Sequence, residues 1–469
     1  MKKFLAFLLA SVTCLSVAIA TSCKGKGNNR GSGTVNVEVP DKNVKATITI
    51  GVPGTNENER TMIACLTDGF KEEYPNVTFA YKTIQVNTYG NNIQRLATSQ
   101  NLPDIIWTNS PDIYEVYGYM EPLDEYISKS DELGHFGAAG FNDSFFTEYF
   151  DMGAVGGTRY SVPRSCDCVV TFYRKDWFNA AGVDMSTVKN GWTWDDMLAA
   201  CAKLRTWLDA NGMSGVYCLE PNLTSWLSTS VPMLATFGND VISESGKNVI
   251  AEAGTTETLN LLREMVEKRY IPDSQTTVGS GFEQGSCAMY FQSMAISQLA
   301  NKKVFWKDGK FDAGKLDLVT FPLIGVGEEG AKDYSKAKIG AGIAGYCISR
   351  TSSNKSLSWA FLRYLLSKGG QQEMALNGLN LASIRKDLTD PKTANWGKGY
   401  DALNLEAYTW GSEYKMSPEF FQYTKIGAKK GIDTALKELF VDGTNMKVTV
   451  DKAISNCKNA IDVAISSAQ

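Results

Sequence analysis

Leu102-Pro103-Asp104-Ile105-Ile106-Trp107-Thr108-Asn109-Ser110-Pro111 decides the fold, and the stretch it opens runs on to Tyr126. Asp104 to Trp107 is a short apolar run entered from a proline, the pattern of a buried strand in a parallel sheet. It stops at Thr108-Asn109-Ser110-Pro111, a polar cluster suited to cap a helix with proline at its first position. In an open α/β sheet, ligands lie outside the carboxyl ends of the strands. Trp107, Thr108, Asn109 and Ser110 therefore form a candidate site, an aromatic face beside hydroxyl and amide groups. The competing reading makes Trp107 core and the cluster a plain cap.

Upstream, Ala46 to Val52 reads as a first strand. Ile63, Leu66 and Phe70 then share one side of a helix stopped before Pro75. Val77, Phe79 and Tyr81 alternate as in a half-buried strand, and a helix from about Tyr89 to Ser99 leads into the opening stretch. This strand–helix alternation predicts a parallel α/β sheet. Downstream, a loop-rich region around Gly134 to Gly140 precedes a Gly156-Gly157 turn into Ser161-Val162-Pro163-Arg164. Cys168 to Tyr173 is a further strand, and Arg174 to Ala181 a short helix ending at Gly182. Thr193-Trp194-Asp195-Asp196 is a capping box whose helix carries Met197, Cys201, Leu204 and Leu208 on one side. Later helices are expected near Leu259 to Tyr270, Leu357 to Lys368, Phe420 to Phe440 and from Thr449 onward.

At 469 residues the chain suggests two or three domains. Its net charge of -4, without a basic face or a Lys/Arg block, argues against a nucleic-acid partner. Met1-Lys2-Lys3, the apolar run from Phe4, and Ala20-Thr21-Ser22 before Cys23 have the layout of a secretory signal over residues 1–22. The segment is short and rich in small residues, unlike a transmembrane anchor. A flexible tether, 23–43, follows, with Gly, Asn, Lys, Arg and Ser alone from Lys24 to Gly33. The ten cysteines are scattered, several at apolar positions, and contain no Cys-x-x-Cys, so no disulfide is assigned.

Two phosphate-binding patterns fail on context. Gly340-Ala341-Gly342-Ile343-Ala344-Gly345 has the dinucleotide spacing, but Tyr346 to Ser349 reads as a strand where a helix N-terminus is required. Glycines there suit a strand edge approached by ligand or another domain. Gly309 to Lys315 ends in Leu316 rather than Ser or Thr and is read as a turn. No cofactor or metal is expected. His135 is the single histidine, which removes His-based metal sites and Ser/His or Cys/His catalysis. Paired carboxylates need no histidine, and Asp104, Glu57 and Asp167 are acids for that reading, although capping and surface roles account for most acids here.

The order of these motifs resembles the family 1 extracellular solute-binding proteins, the maltose-binding-protein-like sugar-binding lipoproteins of bacterial ABC importers. The pieces are Leu102 to Ile106 with Gly118 to Asp124, then Tyr160-Ser161-Val162-Pro163, and Phe172 to Phe178 with Ala181-Gly182-Val183. Thr193 to Asp196, Gly285 to Met289, Thr320-Phe321-Pro322-Leu323, and Gly342 to Ser349 with the Trp359 helix complete the order. Arg174 stands where the family usually has Asn, and Cys166 and Cys168 fall in the expected cleft loop. The resemblance also reads Cys23 as a lipidation site.

It implies an α/β, periplasmic-binding-protein-like fold: two α/β lobes with an interlobe cleft and multiple hinge crossovers. Lobe 1 would be 44–153 plus 338–380, and lobe 2 154–337 plus 381–469. Carried over loop by loop, the ligand-binding residues would be Asn56, Glu57, Trp107, Thr108, Asn109, Arg164, Asp167, Trp226, Gln292, Ser293, Gly342, Ala344, Arg385 and Trp410. Core packing competes for Trp226 and Trp410, and an ion pair for Arg385. The implied protein is an exported monomer without catalytic activity, lipid-anchored to a bacterial membrane and facing the periplasm or cell exterior. It would bind a carbohydrate and pass it to ABC permease subunits. The rival readings are a glycan-cleaving enzyme using paired carboxylates and a binding protein for a non-sugar solute.

Overall fold

A computed structural model describes residues 37–468, apart from 55–56, 86–88, 109–117, 221–226, 244, 275, 277–280, 325–337, 343, 378–379, 413–415 and 418–425. The signal segment, Cys23, most of the tether, and the helix expected after Pro111 lie outside the described residues.

The opening motif builds a five-stranded sheet. Ala46–Pro53 lies between Val77–Ile84 and Ile105–Thr108, parallel to both, as the strand–helix alternation requires. The expectation of a parallel sheet holds only for these three strands. Gly345–Ile348 joins antiparallel beside Ile105–Thr108, and Val162–Pro163 pairs antiparallel with it in turn. Both come from distant chain, so no βαβ crossover fixes their direction.

Asp104 clasps the amino end of this sheet. One carboxylate oxygen accepts from the Thr49 backbone N–H at 2.8 Å and its hydroxyl at 2.7 Å, and the other from Ser352 at 2.6 Å. Glu57–Glu73 buries Ile63, Leu66 and Phe70 as its spacing predicts. The Phe70 ring packs on Tyr74 and edge-on to Phe361, which belongs to Lys355–Leu366.

A second, four-stranded sheet runs Asp317–Thr320, Val170–Tyr173, Cys287–Gln292, Tyr217–Glu220. Only the last pair is parallel. The capping box forms: Asp196 N–H donates to the Thr193 hydroxyl at 3.2 Å, and Thr193 N–H to the Asp196 carboxylate at 2.8 Å. The helix it starts, Trp194–Ala210, buries Met197, Cys201, Leu204 and Leu208. Trp194 stands edge-on to Phe291 and Phe321. The long helices Ile426–Thr444 and Val450–Ser467 close the same core with Ile432, Leu436, Phe440, Ile454 and Ile461. Asn404 covers the Asp317–Thr320 edge, its N–H on Asp317 at 2.8 Å and its amide on the Leu318 carbonyl at 3.1 Å. Such cover satisfies an edge that would otherwise template pairing.

The chain passes between the sheets three times: over 164–169, over 321–344, and after Lys368–Asn377. Backbone bonds hold these passages side by side. Gly342 N–H donates to the Asp167 carbonyl and Val169 N–H to that of Gly340, both at 2.7 Å, while Cys166 N–H reaches Ala382 at 2.9 Å. The eight cysteines of the described residues are free.

Candidate ligand-binding site

The site forms where the strand ends meet these passages. Thr108, read from sequence as part of a capping cluster, is instead the last residue of the strand. It is fully buried opposite Gly345, because the distant strand Gly345–Ile348 pairs one residue further than the apolar run indicated. Trp107 is half-buried; its ring stands edge-on to Tyr89, whose hydroxyl donates to the Trp107 carbonyl at 2.8 Å.

Beside this strand end lies a buried ionic group. Arg164 Nη2 sits 3.1 Å from Glu59 Oε1 and 3.3 Å from Asp167 Oδ2. Glu59 comes from the first turn of Glu57–Glu73, and its other oxygen is 3.4 Å from the Tyr346 hydroxyl. Glu59, Arg164, Asp167 and Tyr346 are all buried. Burial lifts the Glu59 carboxyl above its ordinary value; Arg164 opposes the lift and the Asp167 charge adds to it. Asp167 is likewise raised by burial against the pull of Arg164. The Trp107 indole N–H comes near Glu59 without closing a hydrogen bond. Arg164 Nε has no partner among the described residues.

Asp167 also faces a narrow crevice, too tight in this structure to admit a water molecule, lined with Cys166, Ser293, Asn380, Ala382 and Tyr408 among others. The Ser293 hydroxyl is buried there and unpartnered among the described residues. Gln292 ends its strand with its amide on Tyr290 at 3.0 Å and its carbonyl oxygen holding Ser293 N–H at 2.9 Å. Gly342 lies so close to Asp167 that a Cβ there would come within 3.1 Å of the carboxylate. The Ala344 carbonyl accepts from Arg164 N–H at 3.4 Å. Trp410 packs against Cys168, Leu323 and Ile339.

Of the predicted residues, Trp107, Thr108, Arg164, Asp167, Gln292, Ser293, Gly342, Ala344 and Trp410 are thus gathered around the passages. Arg385 is not among them. Its guanidinium grips Asp387 at 2.8 Å and covers the Phe145 ring. Asn56, Asn109 and Trp226 lie outside the described residues, as does the side chain of Glu57. Asp104, weighed as a catalytic acid, is committed to the sheet clasp at the opposite strand end.

Two residues went unread. Glu59 gave no signal, since an acid in a first helical turn is common. Glu220 ends Tyr217–Glu220 just as Trp107 lies near the end of its strand, and the same strand-end rule reaches it. It pairs with Tyr290 and accepts Phe282 N–H at 2.7 Å.

Residues 66–399 match the family described as bacterial extracellular solute-binding protein. The chain belongs to this family. It is 22% identical over 314 residues to an arabinooligosaccharide-binding protein of Halalkalibacterium halodurans, covering 63% of this chain and 62% of that one. The fold is that of the cyclic alpha-maltosyl-1,6-maltose binding protein from Arthrobacter globiformis, with TM-score 0.69 at 17% identity over 91% of this chain and 100% of that one. It is equally that of the sugar-binding protein MalE from Xanthomonas citri, with TM-score 0.67 at 17% identity, covering 90% and 98%. The expected periplasmic-binding-protein-like α/β fold is therefore present.

Proposed function

We propose that the protein captures a carbohydrate, of oligosaccharide length, in the cleft at the three passages and delivers it to an ABC importer without chemical change. The observation that carries this reading is the pair of donors unpartnered among the described residues, Arg164 Nε and the Ser293 hydroxyl, the first on the ion-pair partner of Asp167 and the second on the crevice that Asp167 lines. Buried polar groups left unpaired are costly, and a ligand rich in hydroxyls satisfies donors and carboxylate together. Trp107 adds an aromatic face of the kind that packs on the apolar side of a sugar ring. Sugar-binding relatives of the same fold support the ligand class. The lobes are drawn as 44–163 plus 338–380 and 164–337 plus 381–469. The first boundary moves to Pro163 because Val162–Pro163 still pairs in the first sheet.

Titration with neutral oligosaccharides should give saturable one-to-one binding, with the ligand recovered intact. Cleaved product would favour the paired-carboxylate enzyme instead. The anchor is tested separately. Small residues before Cys23 and a flexible tether after it support lipidation there. Cys23→Ala should yield a folded protein that no longer partitions into detergent, and unchanged partitioning would remove the anchor from the proposal.

A further inference from the structure

We infer that Glu59 is a positioning residue of this site: through Arg164 it sets where the Asp167 carboxylate stands at the crevice. The inference rests on the carbohydrate-binding reading for its ligand arm only. Elsewhere in the chain, buried arginines are gripped bidentately. Arg174 holds both Asp176 oxygens at 2.9 and 2.7 Å, and Arg205 both Asp209 oxygens at 3.2 and 2.8 Å. Those two-point grips fix the orientation of the side chain. Arg164 is held differently. Among the described residues, one nitrogen, Nη2, serves both Glu59 and Asp167, Nη1 meets the Met62 sulfur at 3.4 Å, and Nε has no hydrogen-bond partner.

A guanidinium shared through one nitrogen moves if either carboxylate lets go. Among the described residues Asp167 Oδ1 has only a long contact to Ser165, at 3.5 Å, so Asp167 follows Arg164. The groups facing this cluster are few. Tyr346 stands over Glu59 from the first sheet, with Tyr89 behind it. Cys166, Cys168, Tyr149 and Tyr408 surround the Asp167 end, with burial holding their thiols and hydroxyls protonated. Arg60, next in sequence, turns away over the Tyr81 ring. Among the described residues, Glu59 is therefore the one carboxylate besides Asp167 that these contacts place on Arg164. As pH falls through its raised range, Glu59 takes a proton and its hold on Arg164 weakens.

The test has two arms. In the ligand-free protein, labelled with ¹⁵N-arginine, the Arg164 Nε–H signal is assigned by its loss in Arg164→Lys. It should be distinct and slow to exchange at neutral pH. It should move to a solvent-like position in Glu59→Gln and in the wild type on acidification, and be recovered in part by Glu59→Asp. An Arg164 signal unmoved in Glu59→Gln overturns the inference. The second arm uses the first of maltotriose, arabinotriose and chitotriose that binds the wild type. Glu59→Gln should bind it about tenfold more weakly at neutral pH, with the wild type's loss of affinity in acid flattened. Equal affinity and an unchanged pH profile overturn the inference. Binding of none of the three to the wild type counts against the carbohydrate reading, while the nitrogen signal still decides the placing of Arg164.

Discussion

Arg164→Ala is expected to lower folding stability by about 3–5 kcal/mol, because removing one partner of a buried ionic group strands the charges left behind. Here two carboxylates, Glu59 and Asp167, would remain buried without a counter-charge. The effect should carry a pH signature. Burial raises both carboxyls even with the guanidinium present, so the folded protein holds these protons more tightly than the unfolded chain. Stability from that source is complete below the ordinary carboxyl range, about pH 4, and is lost as pH rises through the raised values. Without Arg164 the two carboxyls rise further. The deficit of the variant should therefore be largest near neutral pH and shrink towards pH 4. Urea unfolding at several pH values measures it, and a deficit independent of pH would mean that packing, not charge, is what Arg164 contributes.

Trp192→Ala should lose a similar amount, about 3–5 kcal/mol, for a different reason. Trp192 is fully buried in the second core, and its indole N–H donates to the Thr320 carbonyl at 2.7 Å. The truncation leaves a cavity and removes one of two side-chain donors from the Thr320 carbonyl, which keeps the Thr171 hydroxyl at 3.1 Å. No titrating group is involved, so this deficit should stay level across the pH range in which that of Arg164→Ala shrinks. A loss below about 1 kcal/mol would show that the core collapses onto the space.

The contrast between these two residues also shows what could be read from the sequence. Trp192 sits beside the capping box Thr193 to Asp196, a local signal that placed the following helix and its buried side. Ala46, Val77 and Ile105 head strands linked by helices, and their alternation alone predicted their parallel pairing. Gly345–Ile348 was recognised as a strand but not its antiparallel direction, because its partners lie more than a hundred residues away in sequence. The same distance hid the Asp104 clasp, made with Thr49 and Ser352.

In the site, strand-end residues were legible because the end of an apolar run marks where a sheet stops. Asp167, Gln292 and Trp107 were found that way or through the family resemblance. Glu59 was not, since what makes it unusual is a partner on a passage between the two sheets, Arg164. Arg385 was over-read. Its neighbour Asp387 two residues on offered a local ion pair, and the structure uses it.

Whether a carbohydrate binds intact where the three passages meet is decided by titrating wild type and Asp167→Asn with the same oligosaccharide panel. Each mixture is then examined by mass spectrometry under non-denaturing conditions. One unmodified saccharide per wild-type chain is expected, and a bound fraction at least tenfold lower in Asp167→Asn that is shown to be folded by circular dichroism, roughly the loss of a charged hydrogen bond. Equal retention by both proteins, or saccharide found shortened in either, would contradict it.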